Sequence, residues 1–190
     1  MNSFKYQKDD KQYETEFVKH PFNPVYDENS KILILGSFPP PSSEKHGFYY
    51  GHKNNNFWKN LAEILKSEIL HDTPEAKREF LYKHKIALWD IIKSCVKKRG
   101  SSSDSDIILS SITPNDIPSL LQKAPNIKAI ITTGNLASKI YKKHYEGFLR
   151  ENCPLHICIC SSSKRNQKRN FKDELEQTLK IITKSVKSYI

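Results

Sequence analysis

The sequence predicts a three-layer α/β/α sandwich built on a central four-stranded parallel sheet. Four short apolar runs have the composition of strands buried on both faces of a sheet, and two of them end on a glycine. Helical segments separate these runs, and strands that alternate with helices form parallel sheets covered on both sides. A length of 190 residues suits one domain with a single sizeable core.

The first half of the chain predicts two strands and two helices. Residues 1–16 are polar and are expected to form a flexible arm, so that residues 17–190 form the single domain. The first strand is "KILILGS", and the second is "KIALWDII" at 85–92. A helix from Phe57 follows from apolar side chains at helical spacing, which are Phe57, Leu61, Ile64, Leu65 and Ile69. Thr73-Pro74 predicts the start of another helix, because threonine caps helices and proline suits their first turn.

The second half continues the alternation of strands and helices. The segments are a loop at 100–106, a short helix around 116–123, a strand at 127–134, a helix in "NLASKIYKKHY", a strand at 154–160 and a closing helix in "FKDELEQTLKIITKSVKSY". Asn135 is the predicted cap of the helix that follows the third strand.

The charge balance restricts the possible partners. The net charge is +10, from 31 Lys and Arg against 21 Asp and Glu. This excess favours a polyanion such as nucleic acid, although a basic surface without a partner has the same composition. No apolar run approaches the roughly 18 residues that a membrane span needs. The polar N-terminus resembles neither a signal nor a transit peptide, so we expect a cytosolic protein, or a nuclear one in a host with a nucleus.

The four cysteines do not have the spacing of a metal site. Cys153, Cys158 and Cys160 lie close together, but neither they nor Cys95 form a C-x-x-C pair. Cys158 and Cys160 alternate with isoleucines in a predicted strand. We therefore expect free thiols in a reducing compartment, with no bound metal and no cofactor.

The loops after the strands predict where a ligand binds. In parallel sheets the ligand site lies beyond the carboxyl ends of the strands. Three segments follow such ends directly, namely "GSFPPPSS" at 36–43, "TTGN" at 132–135 and "SSSKRN" at 161–166. The segment "FYYGHKNNNFW" continues the first of them. We expect all of these segments to line one cleft.

Two of these loops have features that suit nucleic acid, but each has a simpler interpretation. The prolines at 39–41 stiffen the first loop and remove amide donors, which also describes an ordinary turn. The last loop places five basic residues among the nine from Lys164 to Lys172, behind three serines. Such groups suit phosphate contacts, whereas many basic runs are simply a solvated face.

The three consecutive asparagines are the most unusual feature of the sequence. Asn55 or Asn56 is expected to cap the helix that begins at Phe57. The remaining amides follow the aromatic pair Tyr49 and Tyr50. Aromatic faces stack on nucleobases, and an amide can bind a base edge or orient a water molecule. A rigid loop, an aromatic platform and an amide together suit a pocket for an extruded base.

The stretch "ILILGSFPPPSSEKHGFYYGHKNNNFWKNL" resembles the first conserved region of the uracil-DNA glycosylase superfamily. The most similar branch is the hypoxanthine-DNA (deoxyinosine) glycosylase family, with its pattern Gly-Ser-Met/Phe-Pro, Ser and Tyr-Tyr-x-His-Pro-x-Asn-x-Phe-Trp. The resemblance continues through "ALWDIIKSC", "SDSDI", "ITTGNLASKIY" and "CICSSSKRN", so that it covers about residues 20–185.

The resemblance implies a monofunctional glycosylase that removes a deaminated base, hypoxanthine or uracil, from DNA without a cofactor. Asn55 matches the catalytic asparagine, and Tyr50 matches the aromatic residue that stacks on the flipped base. His52 is expected to help stabilise the negative charge that develops on the departing base. Phe38 stands where other branches keep a catalytic Asp or Asn. The implied base pocket comprises Gly36, Ser37, Phe38, Pro39, Ser43, Phe48, Tyr50 and Asn135. The implied DNA contacts are Ser161, Ser162, Ser163, Lys164, Arg165, Asn166, Lys168 and Arg169.

The sequence departs from the family pattern at several positions. Cys160 and Lys164 replace the prolines around the serine motif, Lys53 replaces the proline after His52, and Asn135 follows its glycine rather than preceding it. Three alternatives stay open, namely a uracil-specific enzyme, a basic module that binds DNA without cleaving it, and an unrelated nucleotide enzyme, which the lack of a glycine-rich phosphate loop disfavours. Asp90 and Asp104 are predicted to be structural. A monomer without an obligatory protein partner is expected.

Overall fold

The computed structural model describes residues 5–8, 11–52, 54–69, 71–149, 155–163 and 169–187. The strands are Lys5–Lys8 (β1), Lys11–Lys19 (β2), Ile32–Gly36 (β3), Ile86–Asp90 (β4), Ile92–Lys98 (β5), Thr113–Pro114 (β6), Ala129–Thr133 (β7) and Leu155–Ile159 (β8). The helices are Pro41–Lys45 (α1), Phe57–Leu65 (α2), Pro74–Lys83 (α3), Ile117–Lys123 (α4), Asn135–His144 (α5), Glu146–Leu149 (α6) and Phe171–Lys187 (α7). Short 3₁₀ turns lie at Asp104–Asp106 and Leu109–Ser111.

The central sheet contains four parallel strands in the order β4-β3-β7-β8. The four strands correspond to the four apolar runs of the sequence. Leu33 lies opposite Ala87 on one side and Ile130 on the other, and all three are fully buried. The predicted four-stranded parallel sheet is therefore confirmed.

Helices cover both faces of this sheet. On one face, Ile34 and Ile131 pack in a core with residues of α2, α3 and α7. On the other face, Leu33, Leu35 and Ile130 pack with residues of α4 and α5. Because side chains alternate along a strand, β3, β4 and β7 each supply both cores. This arrangement confirms the predicted three-layer sandwich.

A second, antiparallel sheet has the order β1-β2-β5-β6 and was not predicted. The expectation of a flexible arm over 1–16 is wrong for its described residues, because β1 pairs with β2, and β2 pairs with β5. Backbone pairing along the edge of β5 holds this segment, which has no continuous apolar run. Phe17 is 60% exposed, while the neighbouring Thr15 is buried. The extent of the domain over 17–190 remains a prediction.

The ends of β4 and α2 differ from the predictions. The strand predicted over 85–92 ends at Asp90, and Ile92 already begins β5, which belongs to the other sheet. Helix α2 ends at Leu65 rather than near Ile69, because Lys66 adopts a left-handed backbone.

Helix α5 also begins differently from the prediction. Gly134, with φ +92°, occupies the cap position, and Asn135 is the first helical residue, so the predicted Asn135 cap is wrong. The expected Thr73 cap of α3 is confirmed, since its hydroxyl accepts the Ala76 amide hydrogen. Within the described ranges, no helix is both long and apolar enough to cross a membrane.

Candidate active site

The carboxyl ends of the parallel strands bring three of the predicted loops together. Asn55 and Ser163 form an antiparallel backbone bridge, which joins the asparagine run to the serine motif. Ser161 lies beside the end of β7, since a Cβ built on Gly134 would be 3.6 Å from the Ser161 Cβ. The Gly134 amide in turn donates to the Ile159 carbonyl. The asparagine, "TTGN" and serine segments therefore meet at one edge of the sheet.

Asn55 is held by both its backbone and its side chain. Its amide donates to the His52 carbonyl at 2.7 Å, and its Oδ1 accepts the Phe57 amide hydrogen at 3.0 Å. The second contact identifies which side-chain atom is oxygen, because only oxygen can accept that hydrogen. The side chain of Asn56 makes no capping hydrogen bond, although Asn56 stands at the cap position. Of the two asparagines expected to cap α2, it is therefore the side chain of Asn55 that satisfies the start of the helix, and not that of Asn56.

The His52 imidazole faces the same turn. Its Nδ1 lies 3.0 Å from the backbone nitrogen of Asn54 and accepts that amide hydrogen. In the neutral ring the proton is then on Nε2, which leaves Nε2–H as a donor. His52 is half-buried, and Asn54 is exposed.

Tyr50 is fixed at the end of the central sheet. Its ring stacks on Phe57 with centroids 3.9 Å apart and planes 10° apart, and its hydroxyl lies 3.0 Å from Thr133 Oγ1. Its φ of +52° lies in the left-handed region, which is uncommon for a tyrosine. Burial and the nearby Asp90 carboxylate raise the pKa of the Tyr50 hydroxyl, so it stays protonated at neutral pH.

A buried His20–Asp90 pair lies near the Tyr50 hydroxyl and was not predicted as part of a site. His20 Nε2 donates to Asp90 Oδ2 at 2.9 Å, and His20 Nδ1 lies 2.9 Å from the Phe22 carbonyl oxygen and 3.1 Å from the Phe22 amide nitrogen. The side chains are only 3% and 6% exposed. The other carboxylate oxygen approaches Gly36 so closely that a Cβ there would collide with it, and the same Cβ would be 2.9 Å from the Tyr50 hydroxyl.

A sequence signal exists for Asp90 but not for His20. Asp90 was predicted to be structural, although a polar residue at the end of an apolar strand is also a signal for a ligand cleft. His20 lies in an irregular segment 70 residues earlier, and only the tertiary structure brings it to Asp90.

The loop after β3 is braced from two sides. The Ser37 hydroxyl hydrogen-bonds to the Asp104 carboxylate at 2.8 and 2.9 Å. The half-buried Phe38 packs edge-on against His20, with centroids 5.8 Å apart, and Lys97 Nζ lies 5.8 Å from its ring. Pro39 is buried. These contacts agree with a rigid wall, and they give Asp104 the structural role that was expected.

Two of the predicted pocket residues are buried, and a third is exposed. Phe48 is 1% exposed and packs in the core against Trp58 and Arg78. Ser43 is completely buried in α1. Asn135 is exposed at the start of α5.

The predicted DNA contacts are placed only in part. Ser161, Ser162 and Ser163 lie at the site edge, although Ser162 is only 6% exposed. Arg169 forms a two-bond ion pair with Glu174. Lys164, Arg165, Asn166 and Lys168 lie outside the described residues.

The cysteines of the described chain are thiols without a disulfide. Burial raises the pKa of Cys95 to about 11 and also raises that of Cys160, so both stay protonated at neutral pH. Cys153 lies outside the described residues. Among the residues that are described, no group of three or more His, Cys, Asp or Glu side chains is arranged to hold a metal ion.

The fold and the site define a mixed α/β protein whose candidate site loops lie together at the carboxyl edge of a parallel sheet. A solution NMR structure of a candidate uracil DNA glycosylase from Methanosarcina acetivorans has the same fold, with a TM-score of 0.69, 30% identity, and coverage of 88% of this chain and 99% of that chain. The sequence profile of the uracil DNA glycosylase superfamily matches residues 24–183. The chain belongs to this superfamily.

Two curated relatives are similar over most of their length. A hypoxanthine DNA glycosylase from Methanosarcina barkeri is 35% identical over 150 residues, which is 79% of this chain and 89% of the relative. A second, from Methanosarcina acetivorans, is 34% identical over 133 residues, which is 70% of this chain and 78% of the relative. These findings confirm the resemblance that the motifs indicated.

Proposed function

We propose that this protein is a DNA glycosylase that hydrolyses the N-glycosidic bond of a deaminated base flipped out of DNA, with hypoxanthine as the preferred base. The observation that carries the proposal is the bridge between Asn55 and Ser163, which joins the candidate catalytic amide to the candidate DNA-contacting loop. The names of the two curated relatives support hypoxanthine over uracil. A module that only binds DNA is not favoured by these relatives.

The first chemical task is to stabilise the departing base. Negative charge develops on the base as the bond to an oxocarbenium-like sugar breaks. His52 Nε2–H is one donor for this charge. Because residues 39–41 are prolines and have no amide hydrogen, the loop after β3 contributes the amides of Ser37, Phe38 and Ser42.

The second task is to place the attacking water, which we assign to Asn55. A carbonyl oxygen has two lone pairs, and the Phe57 amide occupies one of them. The other can accept a water hydrogen in a direction that the start of α2 fixes. An amide has no accessible pKa for removing a proton, so Asn55 positions the water and the attack follows bond breaking.

Recognition of the base uses groups at the end of the sheet. The face of Tyr50 opposite Phe57 is the platform on which the base would stack. The Asp90 oxygen beside Gly36 is an acceptor of the kind that the ring N–H of hypoxanthine or uracil requires. The mechanism requires no metal or organic cofactor.

The test uses short duplexes that contain one hypoxanthine, uracil or xanthine, with alkali to reveal abasic sites. We expect cleavage at hypoxanthine, and single-turnover rates reduced about 10²-fold in Asn55→Ala. Asn54→Ala is the matched control and should retain the wild-type rate, because Asn54 is exposed. Asn55→Asp keeps an oxygen that can accept both the Phe57 amide hydrogen and a water hydrogen, so we expect it to retain more activity than Asn55→Ala. A wild-type rate in Asn55→Ala would refute the assignment, and binding without cleavage would refute the activity.

A cytosolic location, or a nuclear one in a host with a nucleus, remains a proposal. We also propose that the protein is a monomer without an obligatory protein partner.

A further inference from the structure

The carboxylate of Glu174 connects helix α7 to the end of strand β8. One of its oxygens, Oε2, accepts the Cys160 amide hydrogen at 2.8 Å. The two carboxylate oxygens also accept hydrogens from Arg169, at 2.5 and 2.7 Å. Glu174 is 23% exposed and Arg169 is 49% exposed, so the carboxylate is the more enclosed partner. Cys160 itself is buried.

The residues held in this way lead directly to the candidate catalytic amide. Ser161 to Ser163 follow Cys160, and the Ser163 amide donates to Ser161 Oγ at 3.2 Å. Ser163 then forms the backbone bridge with Asn55. The position of the bridge therefore depends on the position of Cys160 at the end of β8. The hydrogen bond from the Cys160 amide to Glu174 fixes the position of Cys160.

We propose that Glu174 is a positioning residue for the glycosylase reaction, which acts on Asn55 through Cys160 and the Ser161–Ser163 segment. This inference rests on the proposed function. The hydrogen bond to the Cys160 amide is the main contact, because a buried amide left without an acceptor costs more than an exposed ion pair contributes. Arg169 binds the carboxylate of Glu174 on its exposed side. We therefore assign to Arg169 the role of holding this carboxylate, rather than a direct contact with DNA.

The experiment compares Glu174→Ala with Glu174→Gln and Glu176→Ala. All three remove one negative charge from a chain of net charge +10, so their non-specific DNA binding should be equal to or tighter than that of the wild type. Glu176 lies on the same helix in an exposed pair with Lys180 and is the matched control. Glutamine retains an acceptor for the Cys160 amide.

We expect the single-turnover cleavage rate of Glu174→Ala to fall roughly tenfold, the scale of one lost hydrogen bond to a charged group. Glu174→Gln should recover most of this loss, and Glu176→Ala should retain the wild-type rate. Thermal melting of each variant ensures that all are folded at the assay temperature. Equal rates in Glu174→Ala and Glu176→Ala would overturn the proposal.

A second measurement does not depend on activity. Hydrogen exchange should become faster in Glu174→Ala both in the peptide with residues 160–163 and in the peptide with residues 54–57, because the bridge joins them. Faster exchange at 160–163 alone would show that Glu174 does not act on Asn55. If the wild type lacked cleavage, the proposed function would fail, while hydrogen exchange would still decide the role of Glu174.

Discussion

The buried His20–Asp90 pair allows a quantitative prediction of stability. In His20→Ala the Asp90 carboxylate loses the donor at 2.9 Å and stays in an environment where its side chain is only 6% exposed. Removing one member of a buried ionisable pair typically costs about 3–5 kcal/mol, because the other member stays desolvated. For a chain of this size we expect the melting temperature to fall by roughly 6–20 °C.

Urea unfolding followed by circular dichroism measures this loss, and a double-mutant cycle assigns it to the pair. The double variant His20→Leu/Asp90→Leu should be more stable than the two single leucine variants predict by addition, because it leaves no uncompensated polar group. His20→Gln is the control, since glutamine retains an N–H donor. Additive losses in the cycle, or a His20→Ala loss below about 1 kcal/mol, would contradict the idea that these side chains depend on each other.

Two further changes test the packing and the titration of particular groups. Gly36→Ala should destabilise the fold by about 1–3 kcal/mol and slow cleavage, because its Cβ would collide with the Asp90 carboxylate and lie 2.9 Å from the Tyr50 hydroxyl. Urea unfolding measures the loss of stability, and single-turnover kinetics measure the loss of rate. Unchanged stability would contradict the close approach of these groups to Gly36. Burial lowers the pKa of His156 from 6.5 to about 4, so the unfolded chain binds more protons between these values. Stability should thus fall by up to about 2–3 kcal/mol as the pH decreases from 6.5 to 4, and it should not change for this reason above 6.5. His156→Gln should reduce this dependence in urea unfolding at pH 7.5 and pH 4.5, and an unchanged slope would exclude His156 as its source.

The sequence by itself determined the central sheet and its two helical layers. Runs such as "ILIL" at 32–35 are apolar at every position, which requires burial on both faces and therefore helices on both sides. The position of a site beyond the strand ends follows from the same pattern. The motif around Asn55 added the family and the proposed chemistry, because residue identity and spacing are local properties of the chain.

Only the tertiary structure decided which residues meet. The Asn55–Ser163 bridge joins segments more than a hundred positions apart, and no local pattern specifies it. The antiparallel sheet was missed because β2 is held by backbone pairing to β5, and backbone hydrogen bonds are nearly independent of side-chain type. Only the structure shows that the side chain of Asn55, and not that of the adjacent Asn56, accepts the Phe57 amide hydrogen. Composition and periodicity specify burial, whereas the partners of individual polar groups depend on the path of the folded chain.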